Sequence, residues 1–158
     1  VDNNIQFPAG YGMGEDMTMM MLFARAQKVA YVPKAFYHYV KLNTGAFSQT
    51  YSARHLQEVR YNADRICHYI QACYGHQLDK ELAFLKLEVK FPFLIGDDQE
   101  KYRLWTEWYP EANRYICENR YVSARSRLLQ WCAWKGQFWA VRLYYILINK
   151  LVYGIIYK

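Results

Sequence analysis

Glu15 and Asp16 stand side by side directly after three glycines, in the run Phe7–Met17, FPAGYGMGEDM. A carboxylate held beside a bound substrate can act as a general base. Glycine lets a backbone pass close to a ligand or adopt positive φ, so Gly10, Gly12 and Gly14 suit a loop that presents those carboxylates. The plainer use of the same pair is electrostatic: acids in the first turn of a helix complement its dipole, at about 0.3–1 kcal/mol. That use explains neither the glycines nor the methionine cluster from Met17 to Met21 directly behind the acids.

Positioning such a pair falls to the elements around it. Glu15 to Gln27 has a helical composition, with acids at its start and Arg25 and Lys28 at its end. The next stretch, KVAYVPKAFYHYVK, holds two short β-branched and aromatic runs broken by Pro33, which predict two strands or a strand and an edge. LNTGAFSQT then reads as a loop. From Ser52 onward the spacing predicts helices throughout. Leu56, Val59, Ala63, Ile66, Ile70 and Cys73 form one stripe, closed by Gly75. Leu78, Leu82, Leu85 and Val89 form a second, interrupted by Pro92. Two short helices with a break near Pro110 follow, then one capped by Ser123 and stopped at Gly136, then a last one over about 137–157. The expected fold class is mostly α with a small α/β N-terminal piece. Two strands do not make a stable sheet alone, so further strands are expected outside this chain.

The chain is 158 residues long, 53% apolar and 18% aromatic, which excludes a disordered segment and suits one buried core. Cys67, Cys73, Cys117 and Cys132 have no metal-like spacing and read as reduced, half-buried thiols of a cytoplasmic protein. His55, His68 and His76 lack ligand spacing and read as helix-surface residues. The net charge of +6 is not spread evenly: all 14 acids precede residue 121, while Arg125, Arg127, Lys135, Arg142, Lys150 and Lys158 follow it. The last 38 residues therefore carry all of the excess charge, in the most apolar part of the chain. Two readings of the last helix stay open: burial in a bundle with its charges snorkelling out, or attachment to an anionic membrane surface. Arg142 and Lys150 sit too centrally for a transmembrane span. Nucleic acid is not an expected partner, because the basic residues are scattered singly among apolar ones.

The order FPAGYGMGEDM, a helix, AQKVAYVPKAFYHYV and then NTGAFS resembles the C-terminal end of the catalytic domain in family 2 glycosyltransferases of the GT-A fold. The likeness is close over residues 4–50. It continues more loosely at WYPEANRYI, which is similar to a segment of bacterial members. The resemblance implies that Asp16 is the catalytic base and that Glu15 positions the acceptor. It also implies substrate-binding roles for His38 in the YHY triplet and for Asn43 and Ser48 in the following loop. His38 has a second reading as a histidine on a sheet edge. Val40 occupies a position where the family often carries arginine, so Lys41 is the substitute candidate for a phosphate-side contact.

Residues 1–51 then form the end of a GT-A catalytic domain and residues 52–158 a helical C-terminal region. Members carry an Asp-x-Asp motif for the metal and sugar diphosphate, and this sequence has none. Val1 accordingly reads as a cut inside a longer protein, and this fragment alone is expected to be inactive. The implied whole is an inverting glycosyltransferase of bacterial surface polysaccharide or glycolipid synthesis, cytoplasmic or peripheral on the inner face of the inner membrane. It would use a nucleotide-sugar donor, a glycan or lipid-linked acceptor, and a divalent metal (Mg or Mn) whose main ligands lie outside this chain. The fragment is expected to self-associate through surface left uncovered around Val29–Tyr39. The alternative is a non-catalytic helical interaction or membrane-surface module, in which the two acids only cap a helix.

Overall fold

A computed structural model describes residues 5–12, 14–36 and 53–148, and over them the protein is mostly helical. Two compact units divide the chain, Val1–Gln77 and Leu78–Lys158. Helix α2 is therefore grouped with α1 rather than with the helices that follow it.

In the first unit α1 (Glu15–Arg25) packs against α2 (Ala53–Tyr74). Of the expected stripe on α2, Ala63, Ile66 and Ile70 are buried while Leu56, Val59 and Cys73 are half-buried; Cys67 joins the buried side, and Met21 is the buried apolar residue of α1. The end of α1 is tied across by two polar contacts: Arg25 Nε donates to Tyr69 Oη at 3.0 Å, and the Tyr74 hydroxyl donates to the Ala24 carbonyl. Gly75 closes α2 with φ +59°, a left-handed stop that glycine adopts without steric cost.

Two expectations change here. Among the described residues there is no strand: residues 26–36 run irregularly, with Val29, Tyr31, Val32 and Phe36 exposed. A β-branched run becomes a strand only when a neighbour satisfies its backbone groups, and no described segment lies paired beside it. The second run, from Tyr37, and the loop after it lie outside the described residues, as does the chain beyond 148. His55 is not a helix-surface residue but is buried on α2, whereas His68 and His76 are exposed.

The second unit runs through α3 (Asp79–Lys90), a 3-10 turn at Phe91–Leu94, α4 (Gln99–Glu107), a 3-10 segment at Pro110–Glu118, α5 (Ala124–Trp134) and α6 (Phe138–Ile146). Local signals set most of these ends. Pro92 sits inside the turn that ends α3. The Asp98 carboxylate accepts from Glu100 N at 3.0 Å and caps α4, and Ser123 Oγ accepts from Ser126 N at 3.1 Å and caps α5. The core is strongly aromatic. Phe93 meets Trp108 edge to face with centroids 4.9 Å apart, and Phe138 of α6 stacks on Tyr102 of α4 at 4.9 Å. Among the cysteines, Cys67 is buried and Cys117 exposed, and all four are free thiols.

Lys90 lies fully enclosed in this core, 0% exposed. Its Nζ donates to Asn113 Oδ1 at 2.6 Å and to the Trp108 carbonyl at 2.8 Å. The carbonyls of Trp105 and Tyr109 follow at 3.3 and 3.4 Å. The ammonium also stands 4.2 Å from the centre of the Trp105 ring. A helix leaves its last carbonyls unpaired, and here Pro110 prevents continuation, so one cation satisfies the end of α4 and the turn after it. Tyr109, in that turn, takes the left-handed conformation at φ 48°.

Burial pushes the Lys90 ammonium down to about 8, and the Glu111 carboxylate opposes that shift. Between about 8 and the ordinary 10.5 the unfolded chain holds a proton that the folded one lacks. Stability therefore rises with pH across that window, and the gain is lost as pH falls through about 8. Lys90→Met leaves buried acceptors unpaired and should cost about 3 kcal/mol or more near neutral pH. Urea denaturation of both proteins near neutral pH and at about pH 10 checks this. Wild type should gain on the variant as pH rises, and a constant difference would mean that Lys90 does not titrate in this window.

Candidate functional site

The loop from Gln6 to Gly12 is laid on α2, and Gly14 leads into α1. Gly10, at φ +78°, makes the turn after Pro8, with Tyr11 N reaching the Pro8 carbonyl at 3.4 Å. Tyr11 then stacks on Tyr61 of α2, with ring centroids 3.8 Å apart and planes within 13°. One residue on, Asn62 Nδ2 donates to the Gly12 carbonyl at 2.8 Å and also to the Glu58 carbonyl of its own helix at 2.9 Å. Arg65, one turn further along α2, donates to the Gln6 carbonyl and to Thr18 Oγ1 at 3.3 Å. Tyr61, Asn62 and Arg65 thus fasten the loop at its middle, at its exit and at both of its flanks.

Asn62 is fully buried, and its Oδ1 has no hydrogen-bond partner among the described residues. It also explains why Gly14 is glycine. A Cβ built on Gly14 would lie 2.7 Å from Asn62 Oδ1 and 3.0 Å from Pro8 Cγ. Gly14 has an ordinary negative φ of −107°, so space rather than backbone freedom excludes a side chain. The Gly14 carbonyl then accepts from Thr18 N at 2.9 Å and starts α1. Beside Asn62, the Glu58 carboxylate is buried and takes a 2.9 Å bond from Arg54 Nε.

Above this clamp Glu15 and Asp16 occupy the first two positions of α1, and both are exposed. Gly14 offers no side chain to cap the helix, so these carboxylates are the acids of its first turn. Thr18 and Met21 turn inward. Outward-facing Asp16 therefore sits on backbone fixed from below, able to take a proton from a hydroxyl group brought to the helix start. Among the described residues neither the Glu15 nor the Asp16 side chain makes a hydrogen bond or ion pair. Of the residues expected to bind substrate, the structure describes only Glu15. His38, Lys41, Asn43 and Ser48 lie outside the described residues. No group of three or more His, Cys, Asp or Glu side chains able to hold a metal ion occurs among the described residues.

Sequence spacing did not single out the residues that do the fastening. The stripe that marks Ala63, Ile66 and Ile70 as buried leaves Glu58, Asn62 and Arg65 on its flank, where polar residues ordinarily meet water. The one available signal was the glycine-rich loop itself, which needs something to hold it. Compared with known proteins, the chain matches no family model, no curated protein and no solved structure.

Gly14→Ala should force Asn62 off its two carbonyl partners and cost about 1–3 kcal/mol, as overpacking does. The same change in an Asn62→Ala background should cost less by about 1 kcal/mol or more, because the colliding atom is gone. Denaturant unfolding of the four proteins of this cycle measures the coupling. Additive effects would show that Asn62 is not what excludes a side chain at position 14.

Proposed function

We propose that this chain is the C-terminal part of an inverting, nucleotide-sugar-dependent glycosyltransferase of the GT-A type. It would act in the synthesis of a bacterial surface polysaccharide or glycolipid, at the cytoplasmic face of the membrane. Asp16 is the base. Its carboxylate takes the proton of an acceptor hydroxyl as that oxygen bonds to the anomeric carbon. The bond from that carbon to the nucleoside diphosphate breaks on the opposite face, which inverts the configuration. Glu15 orients the acceptor, His38 and Lys41 serve the phosphate side of the donor, and Asn43 and Ser48 bind substrate from the following loop. The observation that carries this reading is the clamp beneath FPAGYGMGED. It fastens Gln6, Gly12 and Thr18, and excludes a side chain at Gly14, yet leaves Asp16 exposed and unpaired. Preorganised backbone beneath an unengaged carboxylate is what a base on a loop requires. The described residues do not assemble a site for the divalent metal.

A second reading has its own support. Met19, Met20, Leu22 and Phe23 of α1 are exposed, an apolar flank that suits a non-catalytic helical interaction module. Two measurements test the first reading, and the second of them separates it from the interaction module. The isolated chain should show no measurable affinity for UDP or GDP by calorimetry, and micromolar binding would contradict a donor site formed mainly elsewhere. In the full-length protein Asp16→Asn should lower turnover by about a thousandfold or more while leaving donor affinity within about twofold. Unchanged turnover would leave Asp16 a helix acid and favour the interaction module.

A further inference from the structure

The apolar, acid-free part of the sequence emerges from the fold as a surface on α5 and α6 that no described element covers. Val141 is buried and anchors α6, and on the opposite side Trp139, Leu143 and Leu147 recur every four residues, 66, 47 and 44% exposed. Gln130 and Ala133 are the buried side of α5, and its outer side shows Leu128, Trp131 and Trp134. The two helices pack on each other, and Arg125 of α5 lies over the Tyr144 ring of α6 at 5.8 Å. Leu128 and Trp131 also line an open hollow with Arg127 and Cys117.

The cations of this region divide into two kinds. Arg142 is already paired with Asp97 at 2.9 Å, and Arg127 spends its guanidinium on the Asn119 carbonyl at 3.0 Å. Among the described residues Arg125 and Lys135 have no carboxylate partner, and they lie against aromatic rings, with Lys135 Nζ 4.4 Å from the Trp134 ring. No acidic residue lies between 121 and 148, and Asp97, which reaches α6 from outside that stretch, is answered by Arg142. Tryptophan and leucine beside unpaired cations is the composition of a helix lying in a lipid interface, with rings at headgroup depth and charges on phosphates. No helix among the described residues is long and apolar enough to cross a membrane.

We propose that α5 and α6 together form a docking surface for an anionic lipid membrane. Leu128, Trp131, Trp134, Trp139, Leu143 and Leu147 enter the interface, and Arg125 and Lys135 meet the headgroup phosphates. The surface rests on residues of the second unit alone and does not depend on any role of Asp16, so the two proposals fail separately. Arg142 takes no part in this surface, because Asp97 already answers its charge.

Vesicle co-sedimentation of the 158-residue chain tests this. Vesicles of phosphatidylcholine alone should bind weakly. Vesicles with about a third phosphatidylglycerol should bind at low salt, and added salt should release the protein. Arg125→Glu with Lys135→Glu should weaken binding about tenfold or more, as should Trp139→Glu with Leu143→Glu. Arg142→Gln should change it less than about twofold, because its partner is within the protein. All substituted positions are exposed, and unchanged unfolding midpoints for the variants confirm that the fold is kept. In wild type, brominated lipid should quench the exposed tryptophans. Absence of binding to anionic vesicles at low salt, or equal binding to neutral ones, overturns the proposal. So does a dimer that Trp139→Glu splits while wild type ignores vesicles, because a second copy would then be the occupant of this face.

Discussion

One buried ammonium holds the second unit in its particular shape. Taking Lys90 out of water is costly, and the cost is offset only where several oxygens and an aromatic face converge on it. The four oxygens come from one short stretch, Trp105 to Asn113, in which α4 ends, the chain turns left-handed at Tyr109 and Pro110 opens a 3-10 segment. A hydrophobic residue at position 90 would fill the space but satisfy none of them. Pro110 stops α4 and the cation satisfies the oxygens left at that stop, and the aromatic core of Phe93, Trp105 and Trp108 is built around it. Salt links at the rim are of another order. Lys86 with Glu111 and Lys80 with Glu118 lie in or near water, where such pairs contribute at most about 1 kcal/mol.

The first unit solves a related problem with a neutral group. A glycine-rich loop gives up conformational freedom when it is ordered, so it needs fixed partners along its length. Asn62 provides one with two donors directed at carbonyls, and its remaining oxygen fills the space a side chain on Gly14 would need. A loop made of small residues for closeness and an asparagine buried against it are two halves of one packing decision. Asp16 gains a defined location from this without being touched by it.

Helix limits were legible in the sequence because their causes are local. Ser123 caps, Gly75 and Gly136 adopt positive φ, and Pro92 and Pro110 interrupt, each through its own covalent geometry. The misses arise where the cause lies far away in the chain. Val29 to Val32 has strand-forming residues, but a strand depends on a neighbour that local sequence does not specify. Lys90 closes an apolar stripe as an ordinary helix-ending cation would, and only its tertiary surroundings distinguish it from one. His55 and Asn62 sit at polar positions on α2 that burial overrides. Of the candidate site, the pair Glu15–Asp16 and its glycines were visible, whereas the clamp was not, since nothing in a helix's own sequence says which polar residue will be covered by a loop.

Exposed apolar side chains occur on both units, yet their chemistry differs in a way that separates their uses. On α1 the exposed groups are Met19, Met20, Leu22 and Phe23, on a helix that begins with two acids and whose single basic residue, Arg25, is engaged by Tyr69. Flexible thioethers adapt to irregular protein surfaces, and acids at the helix start are repelled by anionic headgroups. On α5 and α6 the exposed groups are tryptophans and leucines, no acid is near in sequence, and two cations stand beside aromatic rings without a carboxylate to neutralise them. Unpaired cations on an apolar face carry a desolvation cost against a protein partner unless that partner supplies acids. A lipid surface supplies its phosphates at every point of the plane, with acyl chains directly beneath them. All excess charge lies in the last part of the chain, and the acid-started α1 and the cation-bearing α5 and α6 belong to separate units.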